Sequence, residues 1–211
     1  MDAAEAADAI TEEVEEHHAH APHEGFRSHA ALVIAILAAI LAVCELGGDN
    51  AKNTMIYNNI KASDSWSFYQ AKTQRQTAFK LAGDDVKRRL ADPGLSAPAR
   101  ALLQADLERY DKTVARYESE PDAAAPNDPL RGEGKKQLQA RAKSYEEARQ
   151  VANERNESFD YAKMALQLAI VLGSVSILAQ SRPLLLTAGV LGVAGLALLA
   201  NGFWFLLPLP I

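Results

Sequence analysis

Three stretches of this chain hold almost nothing that water would keep. Ala30 to Cys44 carries no charged side chain, Met164 to Ala179 is nearly as apolar, and Pro183 to Leu207 is apolar except for Thr187 and Asn201. A helix needs about 20 such residues to cross the hydrocarbon core of a bilayer, with roughly 17 as the lower limit. The first run reaches that length with His29 and Leu46, the second with Tyr161 and Ala162, and the third exceeds it unaided. The third is too long and uniform for a buried helix of a soluble protein. The first 24 residues are acidic, whereas a cleavable signal peptide begins with a basic region, so the first run is expected to stay as an anchor. The single cysteine, Cys44, lies inside that run and excludes a disulfide within the chain.

Charge is segregated as sharply as hydropathy. Residues 1–29 hold eight acids and one base, Arg27, while residues 47–163 hold 20 bases and 18 acids. The net charge of −5 therefore belongs to the N-terminal tail. Bases and acids are interleaved in the long polar region, which argues against a nucleic-acid stripe.

The tail is rich in Ala, Glu and His and poor in large apolar residues. A short helix up to Val14 is compatible with it. Pro22 and Gly25 interrupt that helix, and the remainder reads as disordered. From Pro22 to Pro93 there is no intervening proline, so the first membrane helix is expected to continue past Gly47-Gly48 to about Ala82. "GDD" and "ADPGLSAP" mark turns, with Ser96 as N-cap and Pro98 in the first helical turn. Leu103, Leu107, Tyr110, Val114 and Tyr117 then recur at four-three-four-three spacing, the seam of a helix packing on another helix. "SEPDAAAPNDPLRGEGKK" is a loop. From Lys135 no proline or glycine occurs before Gly173, so one helix is expected to run into the second membrane segment, on the order of 65 Å long at 1.5 Å per residue. "AQSRP" closes a tight hairpin, and "FWFLLPLPI" is an aromatic interface anchor.

The predicted fold is an all-α membrane protein: three transmembrane helices, with a long helical hairpin or bundle domain inserted between the first and second. The expected segments are a disordered acidic tail (1–28), transmembrane helices at 29–46, 161–180 and 183–207, and the extramembrane domain at 47–160. Strand signals are absent.

"SDSWSFYQAK", Ser63 to Lys72, is the least ordinary polar stretch. Ala62, Trp66, Tyr69 and Thr73 share one helix face, while Phe68 and Gln70 point elsewhere. Trp66 and Tyr69 are expected to pack against the returning helix, which offers Tyr145, Ala148 and Phe159. A patch for a partner or a second copy is the sharper alternative, with Trp66, Tyr69, Gln70 and Lys72 as its residues. The His/Glu-rich tail, the apolar segment and then this decapeptide resemble a bacterial family of membrane proteins known as domain of unknown function 4337. The likeness covers nearly the whole chain and is most specific at Ser63-Asp64, Trp66 and Tyr69-Gln70-Ala71-Lys72. It implies a bacterial envelope protein with a helical domain between membrane segments, and the expected location is the bacterial inner membrane. It implies no activity.

Four of the five histidines, His17, His18, His20 and His23, lie in "EEHHAHAPHEG". Imidazoles bind zinc, copper and nickel, and Glu15, Glu16 and Glu24 could assist. Pro22 breaks any helix that would preorganise them, so a solvated, weakly metal-binding tail is the plainer expectation. Within the apolar runs almost nothing is ionisable, which disfavours proton or ion transport, and Glu45 reads as a boundary residue. Small residues share faces there: Ala31, Ala35, Ala38 and Ala42; Ala165, Ala169 and Gly173; Ala188, Gly192 and Gly195. Such faces permit close helix contact, within one chain or between copies. No P-loop, GxGxxG, HExxH, GxSxG or CxxC occurs.

The sequence therefore points to a membrane-anchored, self-associating helical scaffold without catalytic activity, small-molecule substrate or cofactor. Its expected partners are the bilayer and either a second copy or an unidentified membrane protein. The alternatives are a metal-responsive envelope protein using the tail, or an accessory subunit of a larger membrane complex. Loop charges lean slightly to a cytoplasmic helical domain.

Overall fold

The computed structural model describes residues 25–205, and the expectations placed on residues 1–24, including His17, His18, His20 and His23, lie outside them. Four helices follow one another: α1 (Ala3–Leu90), α2 (Ala97–Glu118), α3 (Lys135–Ala179) and α4 (Arg182–Trp204). Among the described residues there is no strand, only an isolated bridge between Pro121 and Gly132. The windows Gly25–Leu90, Lys135–Ala179 and Arg182–Trp204 each contain a stretch long and apolar enough to cross a membrane.

Two expectations about α1 need correction. The tail was expected to stay disordered to residue 28, but residues 25–28 are helical. Extending an existing helix adds a hydrogen bond per residue without a new nucleus, and the His29 ring bonds back to the Gly25 carbonyl at 2.6 Å. At its other end α1 continues past Ala82 to Leu90. "GDD" does not stop it because Asp84 and Asp85 pair with Lys87, Arg88 and Arg89 one turn on. Gly83 is buried against Leu107, 3.6 Å from where its Cβ would stand. The stop comes at "ADPG", where Arg100 donates to the carbonyls of Leu90 and Asp92. Ser96 is the N-cap of α2 and Pro98 lies in the first turn, but the Ser96 hydroxyl makes no capping bond.

The chain forms two compact units, residues 1–53 with 152–211, and residues 54–151. α1 and α3 each contribute to both, and the division falls at residues 53 and 151.

In the first unit α1, α3 and α4 pack around Leu37, Cys44, Phe159, Ala162, Leu166, Ala169 and Leu199. Close approach is made by glycine. A Cβ on Gly47 would stand 2.5 Å from the Phe159 ring, and one on Gly202 2.9 Å from it. Gly192 receives Leu37 and Gly195 receives Leu166 in the same way. The buried polar atoms are matched: Asn201 donates to the Ser158 hydroxyl at 3.1 Å, Ser158 to the Glu154 carbonyl, and the Cys44 thiol to the Phe159 carbonyl. The expected small faces of α3 and α4 are used here, with Ala169, Gly173, Ala188, Gly192 and Gly195 buried and Ala165 half-buried. Ala31, Ala35, Ala38 and Ala42 of α1 are all exposed, and Ala30, Leu37 and Cys44, spaced by sevens, face inward instead. α3 ends with Gln180 in the left-handed region (φ 47°), and Ser181 N–H closes back on the Ser176 carbonyl.

In the second unit α2 lies on α1 through the seam read from the sequence, and Glu118 at its end pairs with Lys135 of α3. Tyr110 and Tyr117 tilt onto Phe79 at 5.7 and 5.9 Å, and Leu107 reaches Gly83. No α2 residue is fully buried, as expected of a helix with one covered side. The loop 119–134 is tied at its neck. Glu133 N–H donates to the Glu120 carbonyl, Arg131 pairs with Asp122, and Arg141 donates to the Leu130 and Gly132 carbonyls. Gly132 has φ 117°, a conformation that favours glycine, and a Cβ there would meet the Pro121 backbone.

Candidate functional site

The decapeptide Ser63–Lys72 lies in the second unit, and the helix divides it by face. Ala62 and Ser65 are buried, Trp66, Tyr69, Ala71 and Lys72 half-buried, and Phe68 and Gln70 exposed. Of the expected site residues, Trp66, Tyr69 and Lys72 therefore face other elements while Gln70 does not.

Trp66 donates from its indole Nε1 to Glu146 of α3 at 2.8 Å and meets Tyr69 edge-on at 5.5 Å. It does not meet Phe159, which was expected beside it and instead fills the glycine notch of the first unit. Of the other two expected neighbours, Tyr145 is half-buried and Ala148 is exposed. The reason is the rotation of α3: Ala142, Ala152 and Phe159 are the residues it turns inward, and Ala148 falls off that face.

One turn further on, two ammonium groups lie in similar surroundings. Lys72 sits between Glu120 (3.3 Å), Glu133 (3.6 Å) and the Tyr117 ring (5.6 Å). Lys135 sits between Glu118 (3.3 Å) and the Tyr69 ring (5.5 Å), and donates to Gln76 Oε1 at 3.0 Å. Their side chains are only 13% and 14% exposed, so each charge needs its carboxylate. Gln76, buried, joins the groups: its Nε2 donates to the Val114 carbonyl and to Glu118, both at 3.0 Å. The Gln76 and Lys135 bonds hold the Glu118 carboxyl below the usual carboxylate range. Gln137 adds bonds to Glu120 N–H and the Ser119 hydroxyl.

This junction ties α1, α2, α3 and the neck of the loop together by charge-assisted bonds. Sequence reasoning found Lys72 but missed Gln76, Glu118 and Lys135. The available signal was position: Gln76 lies four residues after Lys72 and seven after Tyr69, on the same face. Among the described residues, no group of three or more His, Cys, Asp or Glu could hold a metal ion, and no buried side-chain nitrogen or oxygen lacks a partner.

The model of a family described as a domain of unknown function (DUF4337) matches residues 26–205, which include both units' described helices. No curated protein and no solved structure matches the chain.

Proposed function

The chain belongs to the family described as a domain of unknown function (DUF4337), and from that premise we propose that it is a membrane-anchored helical scaffold of the bacterial inner membrane. It acts by binding rather than catalysis, and it associates with itself. The segments 29–46, 161–180 and 183–207 cross the bilayer, and residues 47–160 form the extramembrane helical hairpin between the first two.

The observation that carries this reading is the outward face of the three apolar helices. Leu32, Leu178, Leu186 and Val190 are each more than 60% exposed. Burying one such side chain is worth roughly 1.5–3 kcal/mol, so rows of them facing water would be costly, whereas lipid accepts them. The polar junction of the second unit supports a structural role there, because its lysines and carboxylates engage one another and fix three helices.

The test is membrane extraction followed by native mass measurement. The chain should stay in the pellet under alkaline carbonate, and the detergent-solubilised protein should have an integer multiple, above one, of the chain mass. Release by carbonate overturns the anchor, and a monomer overturns self-association.

A further inference from the structure

The exposed side of α1 in the second unit is built differently from an ordinary solvated helix face. From Ile56 the alternating four-three spacing runs through Ile60, Ser63, Ser67, Gln70, Gln74 and Thr77 to Leu81. Every one of these residues is exposed, with Ile56 at 44%, Ile60 at 54% and Leu81 at 65%. None is charged. The charges of this stretch, Lys61, Asp64, Lys72, Arg75 and Lys80, all fall off the line. The hydroxyls on it are partly withdrawn: Ser67 donates to the Ser63 carbonyl and Thr77 to the Thr73 carbonyl of their own helix. Such groups can be covered without losing a hydrogen bond.

Alternating threes and fours is the spacing that another helix covers, here with Ile56, Ile60 and Leu81 as its apolar positions and Ser, Gln and Thr between them. We propose that this face of α1 is covered by α1 of a second copy, parallel and in register. The orientation rests on the membrane reading above, since two copies anchored by the same spans run the same way. Between Ile56 and Leu81, in that register, Ile meets Ile, Ser meets Ser and Gln meets Gln, and no like charges oppose; the pairing is confined to this stretch, because Asp49 and Asp84, on the same line beyond its two ends, would each oppose their own copy. The flanking residues are complementary. In a parallel pair a residue beside the seam faces the one five positions on in the other chain. Lys80 then faces Asp85 of the second copy, and Asn59 faces Asp64. Asp85 keeps a half-exposed side chain although it also serves Arg88 and Arg89.

The experiment is disulfide trapping in native membranes on the full chain carrying Cys44→Ala. Ser63→Cys and Gln70→Cys lie on the seam, whereas Arg75→Cys on α1 and Glu147→Cys on α3 are exposed away from it. Mild oxidation should give a covalent dimer at residues 63 and 70 at least tenfold more than at 75 and 147. Equal trapping at all four, or none at the seam, overturns the proposal. A trapped species whose mass is not twice the chain also overturns it, in favour of a different partner on the same face. As a second readout, Ile60→Lys in the otherwise unaltered chain should raise the monomer fraction in native mass spectra with helix content unchanged. An unchanged distribution overturns the seam. If the parent chain is an oligomer and the seam tests fail, only this interface falls; if the parent is monomeric, the self-association reading falls with it.

Discussion

The two compact units differ in what dominates the contacts between their helices. In the first, contacts are made by shape: Phe159 enters a notch of Gly47, Gly48 and Gly202, and Leu37 and Leu166 enter the hollows at Gly192 and Gly195. In the second, the buried positions include Asn58, Ser65, Gln76 and Gln137, and helices are joined by ions and amides. On the membrane reading proposed above, the contrast follows from what surrounds each. Helices in lipid gain little by hiding apolar surface from neighbours that are equally apolar, so backbone proximity and dispersion must do the work. A bundle in water can expose carboxylates at its margin and use them to hold half-buried lysines.

The comparison breaks most visibly at Phe159. Phe159→Ala should lower the stability of the detergent-solubilised protein by about 3–5 kcal/mol, the usual cost of removing a large aromatic from a packed core. Thermal unfolding followed by circular dichroism measures it. A loss below about 1 kcal/mol would mean that the glycine notch does not organise the first unit.

Gln76→Leu asks how much the second unit depends on polar bonds. It strips partners from Glu118, Lys135 and the Val114 carbonyl, and a buried group left unpaired costs about 1–3 kcal/mol. Destabilisation in that range is expected by urea or thermal melting. If Leu instead stabilises the protein, the second unit is held by apolar contact like the first, and the contrast dissolves.

Trp66→Phe keeps the ring and removes the indole N–H to Glu146, for an expected loss of about 1.5 kcal/mol, in the range for bonds to charged groups. Trp204 is the only other indole, so Trp204→Phe leaves a chain whose fluorescence reports Trp66 alone. That emission should be partly protected from a soluble quencher; full quenching would place Trp66 off the α3 contact.

The smallest effect is the pH dependence. Glu118 has a folded-state pKa below its unfolded value, because Gln76 and Lys135 bind its charged form. Its contribution is therefore complete above the unfolded value and is lost as pH falls through the folded one. Acid titration of the full chain should show a loosening below the usual glutamate range, and Glu118→Gln should make it shallower. Because this carboxylate is nearly half exposed, screening keeps the difference to a few tenths of a kcal/mol.

Much of the helical plan was legible in advance. The proline-free runs defined α1 and α3, and four-three spacing of Leu, Tyr and Val defined how α2 lies. What escaped was pairing over distance. Phe159 was expected beside Trp66 because it lies on the returning helix, but its partners are glycines 112 and 43 residues away in sequence, which periodicity does not score. Gln76 and Lys135 escaped for the converse reason: a reading keyed to apolar periodicity assigns polar residues to the surface, and these are covered because their charges and amides are matched. The alanines of the first apolar run show a third limit. Their face was recognised, but which side of a helix turns inward depends on the heptad phase of the neighbours it meets.

The neck of loop 119–134 has a practical consequence for engineering. With Pro121 bridged to Gly132, Arg131 paired with Asp122 and Arg141 holding the Leu130 and Gly132 carbonyls, the tip at residues 123–127 is decoupled from α2 and α3. Lengthening a loop whose ends are already clamped costs only about 0.6 kcal/mol per doubling. A tag or a small reporter domain spliced at that tip should leave the helices in place, and its accessibility to a membrane-impermeant label in intact cells would read out which compartment the hairpin occupies.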